Sequence, residues 1–162
     1  MTINITITKN QENYKKCCKM GDSFMELEKI PEAINSYSRA IDIEPDNFEA
    51  YCSRAFAKAE VGQKNDAIQD FSTAITLAPD DEKTALYYHR AGLHGIYEEY
   101  NEAIQDYSKA VELSPHLGEI YCAMGLAKLM IGLKESGCLD LSRAGELGDG
   151  RAYELIRKYC NK

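Results

Sequence analysis

The segment "AIQDYSKAVELSP" at residues 103–115 has two close counterparts in the same chain, "AIQDFSTAITLAP" at 67–79 and "AINSYSRAIDIEP" at 33–45. Ala33, Ala67 and Ala103 recur at intervals of 34 and 36 residues, and a weaker fourth copy is centred on Gly137. A period of this size matches a pair of helices. Laid in one register, the units span 14–47, 48–83, 84–117 and 118–149. Each holds two apolar-periodic segments separated by a short polar break, so each is predicted to fold as two antiparallel helices.

Small residues show where those helices must touch. Gly21, Ala55, Ala91 and Gly125 occupy the eighth place of each unit, and Ala33, Ala67, Ala103 and Gly137 the twentieth. Nothing larger than a methyl there lets two backbones come close. Bulkier groups surround the contact: Tyr51, Tyr87 and Tyr121 at the fourth place, where Cys17 is the exception, and Tyr37, Phe71, Tyr107 and Leu141 at the twenty-fourth. Ala40, Ala74, Ala110 and Ala144 at the twenty-seventh allow the next unit to pack on the second helix. Pro45, Pro79 and Pro115 then stop that helix.

This pattern resembles the tetratricopeptide repeat over residues 14 to about 149. The resemblance implies an all-α fold, a right-handed superhelix or α-solenoid of four stacked hairpins, with a function in protein–protein interaction. Departures are local. Lys58, His94 and Lys128 stand at the eleventh place, where the family prefers a large apolar residue; their stems or ring can cover apolar surface. Two extra residues near Asp80 and Asp81 are expected to lengthen the turn into the third unit, and Glu98 replaces the usual inter-helix glycine.

The chain closes with "AGELGDGRAYELIRKYC" (144–160), which resembles the closing segment of bacterial repeat proteins of this type. Gly148 to Gly150 should break the eighth helix. Ala152, Leu155, Ile156 and Tyr159 then form an i, i+3, i+4, i+7 stripe opposite a wet face of Arg151, Glu154, Arg157 and Lys158. Residues 150–162 are therefore expected to form a helix capping the last apolar surface of the array. Cys138 and Cys160 approach each other beneath it, and are expected to stay reduced.

Arg54 and Arg90 share the seventh place, and Asp70 and Asp106 the twenty-third of the same units. The first unit has Met20 and Ser36 instead and lacks both members. This co-occurrence predicts the ion pairs Arg54–Asp70 and Arg90–Asp106 as locks within hairpins. The fourth unit departs from the pattern, because Asp140 faces Met124.

Composition limits function. With 162 residues, 44% apolar and 28% charged, the chain can bury one ordinary core. Its net charge of −7 and lack of a basic stripe argue against nucleic acid as a partner. No apolar run reaches a membrane span and the start shows no secretion signal, so a cytoplasmic location is expected. The six cysteines form no CxxC pair and have no histidine at ligand spacing, so neither a metal nor another cofactor is expected. Residues 1–13 read as an extension. In "TINITIT" (2–8), Ile3, Ile5 and Ile7 alternate with polar residues, a strand pattern with no partner strand. It is expected to be disordered, or to dock in a groove and offer a handle for self-association.

No nucleophile, base and orienting acid occur at a recognisable spacing, and no phosphate-cradling glycine loop is present. The leading expectation is a non-catalytic scaffold that binds a peptide or protein segment. By resemblance, places 2, 5, 9, 12 and 13, with 6 adjacent, line the concave side. They hold Lys15, Cys18, Lys19, Asp22 and Met25; Glu49, Cys52, Ser53, Phe56 and Glu60; Tyr88, His89, Gly92, Gly95 and Ile96; and Glu119, Cys122, Leu126, Leu129 and Met130. Some family members grip the C-terminal carboxylate of heat-shock chaperones with lysine, asparagine and arginine. The matching positions here are Cys18, Asp22, Ser53, Ala85 and His89, which do not form that clamp. Three other readings stand beside this one: a thiol sensor or metal-handling protein using Cys18, Cys52 and Cys122, a self-assembling module, and a secretion-type chaperone.

Overall fold

A computed structural model describes the backbone of residues 2–161 and the side chains of residues 9–161. Among the described residues all regular structure is α-helical: α1 (Thr2–Glu26), α2 (Ile30–Ile43), α3 (Phe48–Glu60), α4 (Lys64–Leu77), α5 (Asp80–Ile96), α6 (Tyr100–Leu113), α7 (Gly118–Met130), α8 (Lys134–Glu146) and α9 (Arg151–Tyr159). The chain divides into two compact units, Met1–Ala78 and Pro79–Lys162.

In the first unit α1 packs on α2, α2 on α3, and α3 on α4. Tyr14, Cys17, Ala40, Ile41 and Ala50 form one buried cluster, and Ala33, Tyr37 and Ala57 another. In the second unit α5 packs on α6, α6 on α7, and α7 on α8, with α9 lying against both α8 and α7. Ala91, Ala103, Tyr107, Ala110, Ile120, Met124 and Ala127 form its main core. Cys122, Leu141, Ala144 and Ala152 form a second cluster beneath α9, closed by Leu155 and Ile156.

The small residues act as the periodicity requires. Ala55, Ala67, Ala91 and Ala103 have no exposed surface, nor have Ala40, Ala74, Ala110 and Ala144. In the last hairpin the approach is closer still. A Cβ built on Gly125 would lie 2.8 Å from the Gly137 carbonyl oxygen, and one on Gly137 would lie 2.7 Å from the Gly125 oxygen. At Gly21 a Cβ would meet the Tyr37 ring at 2.4 Å. Phe71 and Leu141 fill the space beside these contacts with almost no exposure, each contributing roughly 1.5–3 kcal/mol of transfer free energy.

Every first helix ends in the same way. Residues 28, 62, 98 and 132 take positive φ, and the next amide bonds back five residues: Lys29 to Phe24, Gln63 to Lys58, Glu99 to His94 and Leu133 to Lys128, at 2.8–2.9 Å. This is the Schellman closure, which favours glycine. Gly62 and Gly132 meet that preference, whereas Glu28 and Glu98 hold φ of 56° and 60° against it. α8 closes alike, through Gly148 and a bond from Asp149 to Ala144.

The two expected ion pairs form. Arg54 Nε and Nη2 each donate to Asp70 at 2.8 Å, and Arg90 Nε and Nη2 donate to Asp106 at 2.7 Å. Asp70 also receives Lys58 Nζ at 2.8 Å, and Asp140, which faces no arginine, receives Lys128 Nζ at 2.6 Å. The lysines at the eleventh place are thus counter-charges to the twenty-third, beyond any role as apolar cover. The first hairpin, with Phe24 and Ser36 at these places, is uncharged there.

Three expectations need correction. The N-terminal extension is helical rather than strand-like or disordered, since α1 opens at Thr2. Continuing the helix satisfies backbone groups that no strand among the described residues could pair. The side chains of Ile3, Ile5 and Ile7, and with them the self-association handle at 2–8, lie outside the described residues. Second, the extra residues at Asp80 and Asp81 lengthen α5 and not the turn, so the helix starts before residue 84. Asp80, Asp81 and Glu82 suit the positive end of the helix dipole there. Third, Cys138 and Cys160 are joined by a disulfide with Cα atoms 5.8 Å apart, not a pair of free thiols. Seating the α9 stripe on α8 places the two side chains within bridging range. No helix among the described residues is long and apolar enough to cross a membrane.

Candidate functional site

The expected lining residues lie on the first helices of the hairpins, α1 and α3 in the first unit and α5 and α7 in the second. Because i, i+3 and i+4 positions share a helix face, each set is presented on one side. The two units are taken in turn.

On α1, Lys15, Lys19 and Asp22 are exposed. Lys15 and Lys19 border a hollow of about 470 Å³ along the helix, with Met20, Phe24 and Leu27. Asp22 is not a free charge, because its Oδ1 accepts the Tyr37 hydroxyl at 2.8 Å. Cys18 is half-buried beside Tyr14, and burial pushes its thiol up. On α3, Phe56 is 40% exposed and meets Phe71 edge-on, ring centroids 5.1 Å apart. Cys52 and Ser53 are half-buried beside it in sequence, and Glu49 and Glu60 are exposed.

On α5, Tyr88 is half-buried between two rings, His89 at 5.7 Å and Tyr107 at 5.8 Å. Burial pushes the Tyr88 hydroxyl up, with Glu119 adding to the effect, and pulls the His89 imidazole down. His89 is therefore neutral near pH 7. Ile96 is 76% exposed. Gly92 and Gly95 are required by no internal packing: a Cβ on Gly92 would meet only the Tyr107 hydroxyl, at 3.9 Å, and one on Gly95 nothing within 4 Å.

On α7, Met130 is 43% exposed, Leu126 half-buried and Glu119 exposed. Cys122 departs from the expected lining. It is 5% exposed and packed with Leu141, Ala144 and Ala152 under α9, where Leu129 joins the same cluster. In the last repeat the capping helix covers the fifth place. Burial first, then the Asp149 carboxylate, pushes the Cys122 thiol up, the reverse of what a reactive thiolate needs. Among the described residues no group of three His, Cys, Asp or Glu is placed to hold a metal ion.

Two residues outside the expected set adjoin this face. Asp149 Oδ1 accepts the Arg151 amide at 3.0 Å and opens α9, while the Arg151 guanidinium bonds Asp149 at 2.7 Å and 3.0 Å. Both are close enough to act electrostatically on Tyr88 and Cys122.

Helical hairpins closed by small residues, with first-helix side chains left for contact, define a repeat module of the interaction class. Residues 21–62 and 98–132 match one family model described as a TPR repeat, and residues 48–81 match another described as tetratricopeptide repeat, together more than half of the chain. The chain belongs to the tetratricopeptide-repeat family. No curated protein matches its sequence. Among solved structures it is similar to MamA, at 23% identity and a TM-score of 0.78 over 93% of this chain and 86% of that one. A tetratricopeptide repeat protein from Parabacteroides merdae gives a TM-score of 0.79 at 18% identity, over 87% of this chain and 56% of the other. The first TPR of Spaghetti (RPAP3), bound to an HSP90 peptide, gives 0.67 at 22% identity, over 74% and 94%. These likenesses show the fold.

Proposed function

We propose that this protein is a non-catalytic interaction module that binds a peptide segment on its first-helix faces. The contact residues are Phe56 with Lys15, Lys19, Glu49 and Ser53 in the first unit, and Tyr88, His89, Ile96, Leu126 and Met130 in the second. One observation carries the reading: Phe56, Ile96 and Met130 are 40%, 76% and 43% exposed on those faces, although the hairpin cores are closed without them. Exposed large apolar side chains beside polar ones are what a docking peptide uses as anchors. A peptide on the Spaghetti domain is in keeping with this. The chaperone-tail clamp is not the mode, since Cys18, Asp22, Ser53, Ala85 and His89 stand where its cations and amides would be, and Asp22 already serves Tyr37. The raised thiols of Cys18 and Cys122 count against a thiol-based function.

The test is selection of binders from a random-peptide library, followed by affinity measurement on the wild type, Phe56→Asp, Leu126→Asp and Ile96→Asp, with helicity checked by circular dichroism. Ile96 is exposed enough for its variant to fold. Loss of an apolar anchor is expected to weaken binding by about tenfold or more in at least one unit. Unchanged affinity in all three folded variants would move the site to the second helices or the ends.

A further inference from the structure

In the first two hairpins the ninth place lies against the twenty-fourth, and the residue pairs are matched in chemistry. Asp22 accepts a hydrogen bond from Tyr37 at 2.8 Å, Phe56 meets Phe71 edge-on at 5.1 Å, and Leu126 stands in register with Leu141. The third hairpin breaks the match, with Gly92 opposite Tyr107. Tyr107 is 7% exposed, and no described residue hydrogen-bonds its hydroxyl. That hydroxyl lies 3.9 Å from where a Gly92 Cβ would stand, so it points into the notch that the missing side chain leaves.

We infer that the notch at Gly92 is an acceptor-binding subsite, in which the Tyr107 hydroxyl donates to a main-chain carbonyl oxygen of a bound peptide, as Tyr37 donates to Asp22. This deepens the peptide-binding reading and rests on it. Three features choose a peptide carbonyl over other acceptors. Gly92 and Gly95 lie three residues apart on one face of α5 with no Cβ to hold a backbone away. Tyr88, 5.8 Å from Tyr107, supplies an apolar wall. The Glu119 charge, which already raises Tyr88, opposes a carboxylate at this place. Burial, and after it the neighbouring Tyr88, push the Tyr107 hydroxyl up to about 12, so it carries its proton at neutral pH. The hydroxyl oxygen is not among the fully buried polar atoms that lack a partner, so it opens to solvent through the notch, and a ligand acceptor would replace water as its partner.

The probe is N-methylacetamide, a bare peptide group, titrated into ¹⁵N-labelled full-length protein while backbone amide shifts are followed. Saturable shifts at Gly92 and Gly95 are expected. In Tyr107→Phe the apparent affinity should fall by about three- to tenfold, the worth of one hydrogen bond. The twenty-fourth place already holds Phe71 in the second hairpin, so this variant keeps the fold. Gly92→Asp should supply the internal acceptor that Asp22 provides to Tyr37, abolishing the shifts and raising Tm. Absence of shifts at Gly92 and Gly95, or equal affinity in Tyr107→Phe, would overturn the inference. A library-selected peptide that binds wild type and Tyr107→Phe equally sinks the subsite and leaves the broader reading intact. Tyr107-dependent docking of the probe with no selectable peptide supports the subsite and removes that reading.

Discussion

Asp70 on α4 receives two cations at once from α3: Arg54 bonds both of its oxygens at 2.8 Å, and Lys58 Nζ sits 2.8 Å from Oδ2. The carboxylate is 4% exposed by residue, so its charge is balanced almost wholly by these two groups. Asp70→Ala would leave both cations half-buried without a counter-charge. The variant should lose about 3–5 kcal/mol, as when one partner of a buried pair is removed, measured by urea denaturation. A loss below about 1 kcal/mol would place the pair among surface ion pairs of little worth.

Gly137 and Gly125 set the closest approach in the second unit. Alanine is normally the better helix former by up to about 1 kcal/mol. At Gly137 a methyl would lie 2.7 Å from the Gly125 carbonyl oxygen and 3.0 Å from Leu129 Cγ. Gly137→Ala should therefore destabilise by about 1–3 kcal/mol despite its propensity. Gly95→Ala, in open space, should stabilise. Thermal unfolding of the two variants gives opposite signs if the contact is as described.

Glu98 occupies the left-handed turn that Gly62 and Gly132 serve in the neighbouring hairpins. Glu98→Gly removes backbone strain and adds chain entropy to the unfolded state, opposing effects of which the relief of strain is the larger. The expected balance is a gain of about 0.5–1 kcal/mol, read from the midpoint of chemical denaturation. His94 and Glu99, joined at 2.9 Å, should keep their contact.

The bond between Cys138 and Cys160 closes a stretch of 22 residues that includes all of α9. Thiol titration in denaturant should find four free thiols before reduction and six after. Reduction should cost on the order of 3 kcal/mol, the chain-entropy value for a loop of this length. It should also raise amide exchange in α9 above that in α8.

Much of this architecture was legible because the repeat compares the chain with itself. Ala55 with Ala67 and Ala91 with Ala103 gave the helix contacts, and the joint absence of charge at Met20 and Ser36 exposed the two arginine pairs. Other features depended on reach, which spacing alone does not report. Lys58 and Lys128 extend across the hairpin to Asp70 and Asp140, whereas His94, the shorter side chain at the same place, turns to Glu99. The hydrogen bond of Asp22 was not legible because its partner Tyr37 lies fifteen positions away on another helix. Cys122 read as groove lining until α9 covered it, and the same docking brought Cys160 to Cys138. α5 starts early because its acidic first turn suits a helix N-terminus as well as a loop.

The most direct test of the binding account is to map a library-selected peptide on ¹⁵N-labelled protein by amide chemical shifts. The account predicts that the largest shifts cluster on first helices, at Phe56 on α3 and at Tyr88, Gly92, Gly95 and Ile96 on α5. Shifts concentrated on α2, α4, α6 and α8, with those first-helix amides unmoved, would contradict it.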